Sequence, residues 1–246
     1  MDTYVLTGVL LGVIKSVIML RFIRHMWIPV PKVETRGSRI YNRPVLSLYD
    51  IYVLGFSNTF VWQCPSRLIL DFYNEYISGK HLDVGVGTGY FLDKCKFPTD
   101  NPIIAVADLN LNSLQATSNR LQRYKLTTHV ANILKPLIIE PAGFDSVALN
   151  YLFHCLPGNI ISKGIVLKNL KPLLNKKGGV IFGTTILGKG VRQNPVAKFL
   201  SHVYNSKGIF SNADDNADDL EKVLNDNFHN YSIDVVGCVA FFMGLT

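Results

Sequence analysis

A short glycine-rich segment between a strand pattern and a helix pattern constrains this chain more than any other feature. Residues 81–92 are His-Leu-Asp-Val-Gly-Val-Gly-Thr-Gly-Tyr-Phe-Leu. The alternating apolar residues before the glycines predict the end of a buried strand. Glycine adopts positive φ and lets the backbone approach a ligand closely. A helix N-terminus supplies unpaired N–H groups and the positive end of a dipole. A strand, a glycine turn and a helix in this order predict a nucleotide-type binding site.

The spacing of the glycines distinguishes this segment from two phosphate-binding loops. The dinucleotide fingerprint is G-x-G-x-x-G, whereas this chain has G-x-G-x-G with Asp83 two residues before Gly85. No G-K-[ST] follows, which excludes a P-loop. The segment from Asp83 to Gly89 resembles the first motif of class I S-adenosylmethionine-dependent methyltransferases. In that family the loop wraps the methionine part of the cofactor, so that no phosphate has to be held. The alternative is a glycine turn without a ligand.

A second motif supports the resemblance. Residues 103–107 form a short apolar run that ends at Asp108, 25 residues after Asp83. A carboxylate at the tip of the second strand can accept hydrogen bonds from both ribose hydroxyls, and Asn110 can assist. The alternative for Asp108 is a helix N-cap, because a helical pattern begins at Leu109.

The resemblance extends to the next two strands. In the family an aspartate often follows the third strand and binds the adenine amino group. Here that position holds Asn132, whose side-chain carbonyl can still accept from an amino group, and Ile133 would pack on the adenine face. Asn150 stands at the tip of the fourth strand, beneath the expected sulfonium. The predicted cofactor-binding residues are Asp83, Gly85, Gly87, Gly89, Tyr90, Asp108, Leu109, Asn110, Asn132, Ile133 and Asn150.

Each candidate catalytic or substrate-binding residue also has a purely structural explanation. His154 is the histidine closest to the expected methyl-transfer position, and an imidazole can act as a general base near neutral pH. The alternative is a histidine that packs or orders a loop. In this family, helices before the first motif commonly cover the cofactor, so Tyr49, Tyr52 and Trp62 are candidate substrate residues. For each of these aromatics the alternative is an ordinary core position.

Composition argues against metal, disulfide and nucleic-acid chemistry. The four cysteines are widely spaced without a C-x-x-C pair, which predicts reduced thiols and no metal site. An acidic run at residues 214–219 is a possible cation site, but the pattern favours a solvated helix start. Of the formal net charge of +7, a net charge of +5 falls in residues 21–43. The remaining domain is nearly neutral, so a nucleic-acid partner is not expected.

The N-terminal segment predicts a membrane association. Residues 4–23 are almost continuously apolar, and twenty helical residues span about 30 Å, the thickness of a bilayer core. The basic flank that follows would face the cytoplasm. Lys15 is the main objection, because a charge near the centre of a spanning helix costs about 2.5–3.5 kcal/mol. The alternatives are a helix in the membrane interface or a hydrophobic channel, and a helix packed on the soluble domain.

The resemblance implies an α/β protein with a Rossmann-like, seven-stranded, mostly parallel sheet flanked by helices, and the apolar segment before it predicts an N-terminal hydrophobic helix. The predicted parts are the hydrophobic helix (residues 1–30), a linker (31–44) and a class I methyltransferase-like domain (45–246). The domain would lie in the cytoplasm, with or without the membrane anchor. The resemblance implies methyl transfer from S-adenosylmethionine to a small, fairly apolar molecule, with oxygen as the acceptor atom. Two alternatives stay open: a cyclase or pericyclase that binds the cofactor without transferring methyl, and a tethered scaffold with a vestigial site.

Overall fold

The computed structural model describes residues 50–246, with side chains from residue 54 onward. The predicted N-terminal helix (1–30) and the linker (31–44) therefore lie outside the described residues. In the described range, no helix combines the length and apolarity that crossing a bilayer requires.

A seven-stranded sheet forms the centre of the described range, as the sequence predicts. The strands are β1 (Lys80–Val84), β2 (Ile103–Asp108), β3 (Leu126–Val130), β4 (Ser146–Asn150), β5 (Val180–Ile186), β6 (Asn230–Val236) and β7 (Val239–Leu245). Their order is β3-β2-β1-β4-β5-β7-β6. The first five strands pair in parallel, and β7 runs antiparallel to both β5 and β6. The carboxyl ends of β1 to β5 consequently meet at one edge of the sheet.

Helices cover both faces of the sheet. The helical segments are a π-type helix (Asp50–Val61), α1 (Ser66–Tyr76), α2 (Tyr90–Lys94), α3 (Leu111–Arg120), α4 (Ile160–Lys163), α5 (Ile165–Leu170), α6 (Pro195–Ser206) and α7 (Ala217–Asn225), with 3-10 turns at Phe153–Cys155 and Lys171–Leu173. Residues on α1, α2 and α3 pack on one face, around Tyr73 and Phe182. Residues on α4, α5 and α7 pack on the other, around Phe153 and Phe242. All of β5 and most of β4 are buried, as expected for strands covered on both faces.

One predicted element is broken in the structure. The apolar pattern from residue 160 to residue 174 predicts a single helix, but α4 ends at Lys163 and α5 begins at Ile165. Gly164 marks the junction, where a Cβ atom would lie 2.9 Å from a methyl carbon of Val223 on α7. The close approach of α7 therefore occupies the space that a side chain at this position would need.

Candidate active site

The three glycines of the loop have different structural roles. All three have positive φ, between 58° and 70°. The Gly85 amide donates to the Ala107 carbonyl at 2.8 Å, which ties the loop to β2. A Cβ on Gly85 would lie 2.8 Å from Leu152, and one on Gly89 would lie 2.9 Å from Thr117 of α3. A Cβ on Gly87 would meet no atom within 4 Å, so this glycine leaves open space beside the loop.

Asp108 lies across the same opening, at the carboxyl end of β2. One of its carboxylate oxygens accepts from the Asn110 amide at 2.8 Å, and the other lies 3.4 Å from the Gly87 amide. Burial raises the pKa of Asp108. The N-cap of α3 is Asn110, whose side chain accepts from the Asn112 amide at 2.8 Å. The sequence left a cap role open for Asp108; the structure gives that role to Asn110.

The loop after β3 forms a third side of the opening. Asn132 Oδ1 accepts from the Leu134 amide at 3.0 Å, and its second lone pair is suited to an amino group. Asn169 Nδ2 donates to the Ile133 carbonyl at 2.9 Å, which fixes the loop to α5. Ile133 itself is buried. An apolar side chain beside an amide is a suitable surround for a purine ring.

Asn150 presents an amide group at the carboxyl end of β4. Thr184 Oγ1 donates to Asn150 Oδ1 at 3.1 Å, which fixes the orientation of the amide. Asn150 Nδ2 is buried and has no hydrogen-bond partner among the described residues. The next residue, Tyr151, has φ of 54°, a left-handed conformation that is uncommon outside glycine. Its amide donates to the Thr184 carbonyl at 2.8 Å, so β5 supports both residues.

Asp83 is the most perturbed acid of the site. It is buried, and the Tyr73 hydroxyl donates to its Oδ2 at 2.7 Å. Burial raises the pKa of Asp83 to about 7, although the Tyr73 hydrogen bond opposes the shift and nearby Asp108 adds to it. A carboxyl group that titrates near neutrality inside a cavity is a candidate for binding a cation.

A single cavity joins these groups and encloses about 1110 Å³ of empty space, part of it open to solvent. Of the predicted cofactor residues, all line it except Gly89 and Asn110. The residues that sequence reasoning missed are Leu54, Val84, Val86, Thr88, Phe91, Ala107, Ser113, Ala131, Leu134, Tyr151, Leu152, Cys155 and Leu156. Ala131, Tyr151 and Leu152 come directly after parallel strands, a position that could have indicated them.

The cavity fits the groups of S-adenosylmethionine. Gly87 keeps open the space that a Cβ atom would fill, and the unpartnered Nδ2 of Asn150 is a buried donor without a protein acceptor in the described range. Asp83 suits the amino group and Asp108 suits the ribose hydroxyls. The cavity wall thus combines acidic groups, which suit a cation, with apolar groups, which suit a purine ring.

His154 lies outside the cavity wall. Its ring is buried against Phe210, with centroids 4.5 Å apart, and its Nδ1 accepts from the Ile186 amide at 3.4 Å. Burial lowers the pKa of His154 to about 3. Because Nδ1 accepts from a backbone amide, the neutral ring carries its proton on Nε2. This geometry fits the loop-ordering alternative and does not support a general base.

Of the three predicted substrate aromatics, Trp62 is the one whose side chain the structure describes, and it does not line this cavity. Trp62 is buried, packs on Phe210 with ring centroids 6.0 Å apart, and is not among the lining residues. The apolar cluster to which it belongs explains its burial, so the core alternative holds for this residue. Tyr49 and the side chain of Tyr52 lie outside the described part of the chain. Leu54, from the same π-type helix, reaches the cavity instead.

The acidic run at residues 214–219 serves the fold. Asp215 is buried and forms an ion pair with buried Lys163 of α4. Asp218 and Asp219 lie in the first turn of α7, where the helix dipole favours negative charge. Within the described range, no group of three or more metal-ligating side chains is placed to hold an ion.

Curated relatives share most of the length of this chain. Demethylluteothin O-methyltransferase of Streptomyces thioluteus is 38% identical over 210 residues, which cover 85% of this chain and 91% of that protein. Methyltransferase ctvB of Aspergillus terreus is 39% identical, covering 84% and 92%. The physcion biosynthesis cluster O-methyltransferase of Aspergillus chevalieri is 35% identical, covering 85% and 95%. No protein-family model matches the chain.

Solved structures share the fold at low sequence identity. The DhpI complex with S-adenosylhomocysteine has a TM-score of 0.59 at 13% identity, covering 86% of this chain and 95% of that one. A Haemonchus contortus N-methyltransferase complex that also holds S-adenosylhomocysteine has a TM-score of 0.61 at 17% identity, covering 84% and 47%. Together with the relatives in sequence and the cavity described above, these findings identify the protein. The chain belongs to the class I S-adenosylmethionine-dependent methyltransferases and is an enzyme whose cofactor is S-adenosylmethionine.

Proposed function

We propose that this enzyme methylates an acidic hydroxyl group, a phenol or an enol, on a small and fairly apolar molecule. The single observation that carries the proposal is the composition of the cavity wall. In the described range this wall contains no His, Lys or Arg side chain, and its part beyond Asn150 is apolar, with Leu54, Leu152 and Leu156. Such a wall favours a ring-containing acceptor over a charged one.

The described wall offers no imidazole or amine base, and its two carboxylates, Asp83 and Asp108, are assigned to the cofactor, so we expect the acceptor to be selected by its acidity. An aliphatic alcohol requires a general base, and the buried His154 is held by the Ile186 amide away from this wall. A phenol has a pKa near that of tyrosine, about 10, and releases its proton far more readily than an alcohol. Two of the relatives above are named O-methyltransferases, which supports oxygen as the acceptor atom.

The residues act mainly by alignment. The bound cofactor supplies an activated methyl group on a sulfonium, and its transfer to the acceptor oxygen leaves a thioether and releases the hydroxyl proton. We propose that Asp83 and Asp108 anchor the cofactor by its amino group and its ribose. The fixed Nδ2 donor of Asn150 orients a polar group beside the reacting centre. Holding donor and acceptor in line supplies much of the rate enhancement in such reactions.

The test compares acceptors that differ only in acidity. We expect a phenolic or enolic hydroxyl to gain one methyl group by mass spectrometry, and the matched aliphatic alcohol to gain none. Blocking the acceptor hydroxyl as its methyl ether should abolish the product. Equal turnover of the alcohol would contradict the proposed acceptor class. An isomer of unchanged mass would favour the cyclase alternative, which the names of the relatives do not support.

A further inference from the structure

A chain of buried polar groups runs from the cofactor cavity along one face of the sheet. It begins at Asp83, continues through the Tyr73 hydroxyl to His81, and passes to Ser146. His81 and Asp83 are two residues apart on β1, so their side chains share one face of the sheet. His81 is in register with Ser146 of the neighbouring β4. Helix α1 places Tyr73 over this face, which completes the chain.

The distances are those of ordinary hydrogen bonds along the whole chain. Tyr73 Oη lies 2.7 Å from Asp83 Oδ2 and 2.9 Å from His81 Nε2. His81 Nδ1 lies 2.7 Å from Ser146 Oγ. The Ser78 amide donates to Ser146 Oγ at 2.9 Å. Tyr73, His81 and Ser146 are fully buried, so water does not compete for these bonds.

The carboxylate end of the chain sets the direction of the bonds. Ionised Asp83 can only accept, so the Tyr73 hydroxyl donates to its Oδ2. The Tyr73 oxygen is then left to accept from His81 Nε2. Burial lowers the pKa of His81 to about 3, so the ring is neutral and, with its proton on Nε2, accepts at Nδ1 from Ser146 Oγ. Ser146 Oγ in turn accepts from the Ser78 amide and lies 2.7 Å from the Ser78 hydroxyl oxygen.

We propose that Tyr73 is a positioning residue for cofactor binding: with His81 and Ser146 behind it, its hydroxyl keeps Asp83 ionised and oriented toward the amino group of the cofactor. The proposal rests on the cofactor cavity and is independent of which acceptor the enzyme methylates. A hydrogen bond to a charged group is stronger than one between neutral groups. Its loss should therefore be visible in affinity.

Three titratable side chains lie close enough to Asp83 to interact with its charge. From α1 it faces Tyr73, from β2 it faces Asp108, and after α2 it faces Cys95. Burial raises the pKa of the Cys95 thiol to about 12, so that thiol stays neutral. Asp108 is the other group that titrates nearby, and it is present in every variant below. A difference between wild type and variant consequently reports on Tyr73.

The test is calorimetric titration of the full chain with S-adenosylhomocysteine between about pH 6 and about pH 9. Tyr73→Phe keeps the ring packing on Phe91 and Phe182 and removes only the hydroxyl. We expect affinity near neutral pH to fall about tenfold and to recover at the alkaline end, where Asp83 is ionised without help. Tyr76→Phe is the matched control on the same helix, whose ring also contacts Phe182, and it should bind as wild type does.

Two further measurements exclude a merely structural effect. Methylthioadenosine lacks the amino acid part, so its affinity should be the same in Tyr73→Phe and wild type. Ser146→Ala breaks the chain two bonds away from the cavity and should shift the pH profile in the same direction, which keeps the proposal testable if Tyr73→Phe does not fold. An equal loss at every pH, an equal loss for methylthioadenosine, or an unchanged profile in the variants would each overturn the proposal.

Discussion

Gly87 shows how one residue leaves room for a ligand. Its φ of 58° and the empty space at its Cβ position distinguish it from Gly85 and Gly89, whose Cβ atoms would meet Leu152 and Thr117. The spacing in the sequence predicts a glycine loop with a ligand. It does not predict which glycine lies against the fold, because that depends on the packing of α3 and of residue 152.

Gly87→Leu should abolish cofactor binding, because its side chain would occupy the cavity. Gly178→Leu is a matched control: it also has positive φ and an open Cβ position, in the turn before β5. Both variants should lose about 1–2 kcal/mol of stability from left-handed backbone strain. Only Gly87→Leu should lose binding of S-adenosylhomocysteine in calorimetry. Wild-type affinity in that variant would place the ligand elsewhere.

The buried acid Asp83 should make the stability of the cofactor-free protein depend on pH. Its pKa in the folded state is raised to about 7, above the usual 3.8. Between these values the folded protein holds a proton that the unfolded chain has released, so stability falls as pH rises toward 7 and is constant above it. Below the lower value both states are protonated and the effect vanishes.

Asp83→Asn removes this penalty and should be more stable than wild type at about pH 8, by on the order of a few kcal/mol, but not at about pH 3. Chemical denaturation of the cofactor-free proteins at both pH values measures this. The same variant should bind S-adenosylhomocysteine less tightly. Buried Asp83 would then lower the stability of the protein while it serves cofactor binding. A stability difference of equal size at both pH values would contradict the assignment to Asp83.

At the scale of elements, a buried ion pair joins α4 to the segment before α7. Lys163 and Asp215 are both almost fully buried, and Lys163 also donates to the Ser211 carbonyl at 2.6 Å. The sequence indicates an acidic helix start here, and the first turn of α7 fits it. The partner of Asp215 could not be predicted, because Lys163 is 52 residues away along the chain. The break between α4 and α5 was not predicted either, and there Val223 of α7, distant along the chain, leaves no room for a Cβ atom at Gly164.

Removing one member of the ion pair should lower the free energy of unfolding more than replacing both members with apolar residues. Lys163→Met leaves the Asp215 carboxylate buried without its cation, and removal of one partner of such a pair costs about 3–5 kcal/mol. The double variant Lys163→Met/Asp215→Leu removes both charges and should be closer to wild type. Urea denaturation at neutral pH measures the three proteins. Equal losses in the single and double variants would show that the pair itself stabilises the fold.

At the scale of the whole molecule, the architecture was the part that the sequence predicted best. The patterns before the glycine loop and at residues 103–107 predicted β1 and β2, and the resemblance implied the seven-stranded, mostly parallel sheet. The substrate side was predicted least well. It depends on the helix before α1, where Leu54 reaches the cavity and Trp62 joins the core. Side chains in that helix follow no strand register, so spacing cannot assign their direction.

The apolar segment at residues 4–23 stays a prediction, because it lies outside the described residues. We expect the full chain to remain with membranes after extraction at alkaline pH, since about twenty apolar residues suffice to span the bilayer core. Leu10→Asp/Val17→Asp should release it, because a charge within a span costs about 2.5–3.5 kcal/mol. Release of the wild-type chain by alkaline extraction would exclude an integral anchor.

The cofactor is assigned to the cavity at the carboxyl ends of β1, β2 and β4, and the roles of Asp83, Asp108 and Asn150 depend on this assignment. Calorimetric titration of the purified chain with S-adenosylmethionine, alongside Asp108→Ala, tests it most directly. We predict saturable binding at one site per chain, weakened at least about tenfold in Asp108→Ala because two charge-assisted hydrogen bonds to the ribose are lost. No binding in a sample that circular dichroism shows to be folded, or equal affinity in the variant, would contradict the account.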